Sequence, residues 1–177
     1  LSKEFKRDNE IVLAAVRNYG DALEFAHESL KKDRQIVLAA VQDDGRSLEF
    51  ADINLKKDKE IVLAAVQSHG DALEYVDEKL RKDRDIVLVA AKQEGYSLKF
   101  VDHSFRSDKK IILAAVQNDG CALEFAHDSL KKDKQIVLAA IQNDGSALQY
   151  ADETLKKDKE IVLKTVNVYG LALEFAD

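Results

Sequence analysis

A chain of 177 residues, 46% hydrophobic and 34% charged, can bury a sizeable core and is too apolar for bulk disorder. Its net charge of −6 argues against a generic nucleic-acid binder unless the charge is segregated. A single cysteine, Cys121, excludes a disulfide framework and a cysteine metal site, and favours a reducing, intracellular setting.

The first seven residues finish a word that the rest of the chain repeats. Asp stands at 8, 33, 58, 83, 108, 133 and 158, and Gly at 20, 45, 70, 95, 120, 145 and 170. The period is 25 without insertion, the mark of a tandem array. With Asp as position 1, the word is roughly D-K-E-I-V-L-A-A-V-Q-N-D-G-x-A-L-E-F-A-D-E-S-L-K-K. Leu1 falls at position 19 and Asp177 at position 20, so the chain is seven words plus two residues, with no linker. It reads as one domain, 1–177, and, beginning without Met, as a segment of a longer protein.

The first helix is predicted over 9–19. Asp8 is its N-cap, because the carboxylate accepts the unpaired amide hydrogens of the first turn, and Glu10 adds negative charge where the helix dipole favours it. Ile11 to Val16 gives six apolar residues in a row, and the Ala pair within it favours helix over a buried strand. Such a helix is apolar nearly all round and needs cover on several sides. Gly20 is placed as a left-handed residue that ends it.

The second piece, 22–32, sets Ala22, Leu23, Phe25, Ala26 and Leu30 at helical spacing and is expected to be about two helical turns followed by a 3₁₀ turn. The rival is a hairpin turned at D-D-G or N-D-G. The pair then recurs, with long helices at 34–44, 59–69, 84–94, 109–119, 134–144 and 159–169. One pair cannot bury its own apolar face, but stacked neighbours can. The predicted fold is therefore all-α: a solenoid of seven tandem 25-residue repeats, each a longer helix plus a short helix or 3₁₀ turn. The last copy departs from the word. Lys164 and Thr165 replace the Ala pair, and Val168, Tyr169 and Leu171 are unusually apolar for their positions. Those three are candidates for head-to-tail stacking through an end face.

The pattern D-K-E-I-V-L-A-A-V-Q-x-x-G-x-A-L-E-[FY]-A-D-E-x-L-K-K resembles the repeat of the domain of unknown function 4116 family, over the whole chain. The resemblance implies a multi-copy helical array. Because such arrays sit inside longer proteins as interaction segments, it also implies a binding role. It brings no activity and no cofactor.

Residues common to every repeat are accounted for by the architecture, so specificity would lie in the variable ones. Position 12 holds Tyr19, Asp44, His69, Glu94, Asp119, Asp144 and Tyr169; position 14 holds Asp21, Arg46, Asp71, Tyr96, Cys121, Ser146 and Leu171. Both flank the glycine and form one line of turns, which makes them candidate partner contacts. The plain alternative is free drift of exposed turns.

Charge is segregated along the word. Positions 24, 25 and 2 hold 19 of the 27 Lys and Arg, and with positions 1 and 3 this ribbon carries +9 against −15 elsewhere. Cations at 24 and 25 suit the end of a helix. Those at position 2, namely Arg34, Lys59, Arg84, Lys109, Lys134 and Lys159, stand in a first turn whose dipole disfavours them. This basic ladder reads first as a solvated edge, then as a contact for an acidic partner, and last as a polyanion track. No aromatics in it would stack bases.

Chemistry is sparse. His27, His69, His103 and His127 share no i, i+3 or i, i+4 spacing. His103 and His127, with Asp102 and Asp128, are the nearest approach to a metal set. Cys121 has no partner in sequence, and glycines spaced one per repeat form no phosphate loop. The expectation is a non-enzymatic scaffold for a protein or peptide partner, without cofactor or metal. Self-assembly through end faces and polyanion binding are the alternatives, with nucleic acid disfavoured. No apolar run approaches the roughly 18 residues of a membrane span.

Overall fold

The computed structural model describes residues 4–176. Leu1 and Asp177, where the count of repeats starts and stops, lie outside the described residues. Each word opens with an aspartate that starts a helix. Asp58 sits in extended backbone (φ −79°, ψ 112°), and its Oδ1 accepts from the amides of Glu60 at 3.0 Å and Ile61 at 3.2 Å. Asp133 does the same for Gln135 at 2.9 Å and Ile136 at 3.3 Å. Two otherwise unpaired amides of the first turn are thereby satisfied. The helices are Asn9–Asn18, Arg34–Asp43, Lys59–Ser68, Arg84–Gln93, Lys109–Asn118, Lys134–Asn143 and Lys159–Val168. No strand occurs among the described residues, so the hairpin alternative fails.

The helices stop one residue earlier than expected, at position 11. Asp44, at position 12, is extended (φ −133°, ψ 113°), and its amide closes the helix on the Ala40 carbonyl at 2.9 Å. The glycine that follows is not left-handed, because no described glycine has a positive φ. It opens a six-residue 3₁₀ helix, as in Gly45–Phe50 and Gly120–Phe125. The second piece therefore begins with 3₁₀ structure where helical turns were expected, and a short turn ends it, 3₁₀ as expected over Leu55–Lys57 and α over Asp128–Lys131. Close packing, not backbone handedness, demands the glycine. An added Cβ would lie 2.1 Å from the Ala65 carbonyl oxygen at Gly45, 2.5 Å from that of Ala40 at Gly20, and 2.4 Å from that of Ala140 at Gly120. Each of these carbonyls belongs to the following repeat.

The chain forms two compact units, Leu1–Gln93 and Glu94–Asp177, and the division falls inside the fourth repeat. Within each unit successive repeats stack. In the first, Ile36, Val37, Ala40, Val41 and Leu48 are fully buried, as are their counterparts Ile61, Val62, Ala65, Val66 and Leu73. In the second, Ile111, Ile112, Ala115, Val116 and Leu123 play the same part. Burying one such Ile or Leu contributes about 1.5–3 kcal/mol, whereas an isolated helix of this length is marginal in water. Stacking therefore holds each repeat. The backbone joins in: the amide at position 20 donates to the position-24 carbonyl of the preceding repeat, Asp52 to Lys31 at 3.0 Å and His127 to Arg106 at 2.9 Å.

Candidate functional site

Four of the position-2 cations reach the aspartate cap of the following repeat. Arg34 Nε donates to Asp58 Oδ2 at 3.0 Å, and its guanidinium also engages Glu60. Lys59 Nζ donates to Asp83 Oδ2 at 2.5 Å, and Lys109 to Asp133 Oδ2 at 2.7 Å. Lys134 donates to Asp158 Oδ2 at 3.1 Å and to Glu160 at 2.9 Å. One carboxylate oxygen caps a helix while the other takes a cation from the repeat before. The neighbour's carboxylate thus offsets the unfavourable dipole at the cation's own helix. The bond from Lys59 holds the Asp83 carboxyl below its ordinary value, as Lys109 does for Asp133 and Lys134 for Asp158. At Asp58 burial pushes upward, but the bonds from Arg34, Ile61 and Glu60 together win and lower it. Arg84 occupies the equivalent place in the fourth repeat, and Asn9 replaces the cation in the first. Lys159, in the last, has no ion pair among the described residues.

The variable turns form a row within each unit. In the first, Asp44 Oδ1 accepts from the Arg46 amide at 2.9 Å and caps the 3₁₀ helix, while the same carboxylate holds the Arg46 side chain at 3.0 and 2.8 Å. Its bond to Arg46 lowers the Asp44 carboxyl. His69 Nδ1 lies 3.4 Å from Asp44, and Asp21 Oδ1 accepts from Ser47 Oγ at 3.0 Å. Arg46 feels both Asp71 and Asp21, from the repeats on either side of its own. Tyr19 is exposed at the start of this row. In the second unit, Glu94 precedes the 3₁₀ helix that carries Tyr96, and Tyr96 meets the Phe125 ring edge-on at 5.2 Å. Asp119 and Asp144 cap the amides of Cys121 and Ser146 at 2.9 and 2.8 Å. Cys121 Sγ lies 3.3 Å from Ser146 Oγ and 3.6 Å from Asp144 Oδ2. Burial, partly opposed by the Ser146 bond, pushes the Cys121 thiol up, which disfavours the nucleophilic thiolate.

Within each unit, stacking creates a strip that no single word displays. Position 17 is Glu24, Glu49, Glu74, Lys99, Glu124, Gln149 and Glu174, and position 18 is Phe or Tyr in every repeat. Burial and then Glu49, from the repeat before, raise the Tyr75 hydroxyl, with Glu74 and Asp71 adding. Tyr150 is raised by burial and then by Glu124, again one repeat back. At Tyr75 and Tyr150 a carboxylate of one repeat thus lies beside the half-buried aromatic of the next. Positions 11 to 18 together hold twelve carboxylates and two cations, Arg46 and Lys99. Lys99 Nζ sits 5.0 Å from the Tyr96 ring centre and 4.5 Å from that of Phe100, a cation held over two aromatic faces. Sequence reasoning passed over this strip. Its signal was the constant aromatic beside a nearly constant Glu, but the contact joins different repeats.

The end-stacking candidates Val168, Tyr169 and Leu171 are exposed, and so are Leu163 and Leu173. His27 and His127 act as caps, their Nδ1 atoms accepting from the amides of Ser29 and Ser129 at 3.2 Å. Among the described residues no three of His, Cys, Asp and Glu converge to hold a metal ion. Among them, too, no helix is long and apolar enough to cross a membrane.

Seven overlapping stretches, 1–31, 8–56, 33–81, 58–106, 83–131, 108–156 and 133–177, match the model of a family described as Domain of unknown function (DUF4116). No curated protein and no solved structure matches the chain.

Proposed function

Since this chain belongs along its whole length to the DUF4116 family, whose description assigns no activity, we propose from its geometry that it is a non-enzymatic helical-repeat scaffold. It binds a basic peptide or protein segment along the acidic, aromatic strip of its 3₁₀ helices. The observation that carries this reading is Lys99, which rests over Tyr96 and Phe100 at 5.0 and 4.5 Å and so stands where a partner's lysine would. Elsewhere in the strip an aromatic has carboxylates alongside, as at Tyr75 and Tyr150, and cations gain both from the ring faces and from the surrounding charge. The variable residues at positions 12 and 14 lie within the strip and supply selectivity. The basic ladder is a poorer contact for a polyanion, because Arg34, Lys59, Lys109 and Lys134 already bond carboxylates of the same chain.

Fluorescence titration with a lysine-rich peptide tests the proposal. We expect binding that weakens with salt and falls at least tenfold in the variant Glu49→Lys/Glu74→Lys, whose sites are exposed. Equal binding to that variant, or retention on heparin stronger than on the peptide, would refute it.

A further inference from the structure

The fourth repeat departs from the word at two positions at once. Position 14 is aromatic only at Tyr96, and position 17 is basic only at Lys99. The two lie three apart on the 3₁₀ helix Gly95–Phe100, where side chains at that spacing stand one above the other. They meet there: Lys99 Nζ is 5.0 Å from the Tyr96 ring centre and 4.5 Å from that of Phe100. Phe125, from the next repeat, lies 5.2 Å from Tyr96 with the ring planes 76° apart and braces the Tyr96 ring. All four residues belong to the second unit. After burial, Glu124, Cys121 and Tyr96 act in turn on the Tyr150 hydroxyl, so a carboxylate lies in the same neighbourhood. Lys99 nevertheless makes no ion pair among the described residues. Its ammonium is held by ring faces. Tyr96 and Lys99 are both exposed, so a cation from solution can exchange with this tethered one.

We infer that the Tyr96 and Phe100 ring faces, braced by Phe125, form a site for a trimethylammonium group, and that Lys99 is its resident occupant. A lysine ammonium is a compact, strongly hydrated charge. Three methyl groups spread the same charge over a surface that leaves water easily and packs against aromatic rings. A carboxylate at position 14, as at Asp21 and Asp71, serves a bare ammonium well, whereas an aromatic there favours the methylated one. The group comes from a trimethylated lysine in the basic partner, and to that extent the inference rests on the peptide-binding reading above. A choline headgroup carries a phosphate beside its cation, which Glu124 and the other carboxylates of the strip repel. A lysine-rich segment carries no such anion.

Calorimetric titration of the 177-residue chain with two lysine-rich peptides, equal in charge and differing only in one trimethylated lysine, tests this. We expect the methylated peptide to bind about fivefold tighter. Tyr96→Leu, which installs the residue that the seventh repeat has at this position, should abolish that preference in a chain that still melts cooperatively. Lys99→Gln, with the residue of the sixth repeat, should vacate the rings and tighten the binding of both peptides. In a peptide-free arm, choline should shift the ring-proton resonances of Tyr96 and Phe100, and its neutral isostere 3,3-dimethylbutanol should not. Peptide binding without a methyl preference, a preference that survives Tyr96→Leu, or equal shifts from the neutral isostere would overturn the inference and leave the peptide-binding reading standing. Choline shifts without binding of either peptide would overturn the assigned source together with that reading. Tighter binding to phosphatidylcholine vesicles than to the methylated peptide would overturn the source alone.

Discussion

A single glycine shows how far stacking dictates residue choice. Gly45 has ordinary backbone angles, yet its Cα faces the Ala65 carbonyl so closely that a methyl group would lie 2.1 Å from the oxygen. The obstacle is helix backbone packed among fully buried side chains, so it cannot yield as a flexible side chain would. Overpacking of this kind costs about 1–3 kcal/mol. Gly45→Ala should therefore lower the urea midpoint by that equivalent, despite removing a flexible residue from the unfolded chain. A midpoint equal to the parent's would mean that neighbouring repeats can slide apart cheaply. The position of this glycine was legible in the sequence, but its reason was not. A glycine after a helix suggests a left-handed cap from local rules, and nothing in one word reveals the carbonyl that approaches from the next.

At the scale of elements, the helices that open with Arg34, Lys59, Lys109 and Lys134 are each joined to the following one by that cation on an aspartate that already caps it. Asp83, Asp133 and Asp158 are lowered by Lys59, Lys109 and Lys134, so at acid pH the unfolded chain binds more protons than the folded one. Stability then rises with pH. Their contribution is complete above the unfolded carboxylate value of about 3.9 and disappears as pH falls through the lower folded values. Thermal melts should be flat between about pH 7 and 5 and drop below about pH 4. The variant Lys59→Gln/Lys109→Gln/Lys134→Gln should melt lower at neutral pH and show a shallower acid limb, because its folded carboxylates titrate closer to the unfolded value. A parallel, merely displaced acid limb would show that the lysines leave those carboxylates unperturbed. The helices themselves were readable from Asp, the Ala pair and the apolar run. The role of Lys59 was not. Its dipole penalty marked it as odd, but its partner stands 24 residues away in the next copy of the word.

Across the whole molecule, a net charge of −6 conceals a ribbon of paired charges and a strip with twelve carboxylates against two cations. The ribbon keeps an excess of cations, but Arg34, Lys59, Lys109 and Lys134 in it already hold carboxylates of the same chain, and the strip within each unit is the acidic field that a basic partner meets. The strip also has a period. Packed helices lie about 8–10 Å apart, and extended peptide advances about 3.3–3.6 Å per residue, so one repeat corresponds to about three peptide residues. A peptide with lysine at every third position can present one cation to each successive aromatic and its carboxylates, whereas the same lysines in one block crowd a single repeat. Linked contacts of this kind multiply affinity only where the spacing lets them engage together. Two peptides of about ten residues and equal charge, one spaced and one clustered, should therefore differ by at least tenfold in Kd at low salt. The difference should shrink as salt screens the carboxylates. Equal affinity would mean that the chain attracts cations by its net charge alone, without a repeating register.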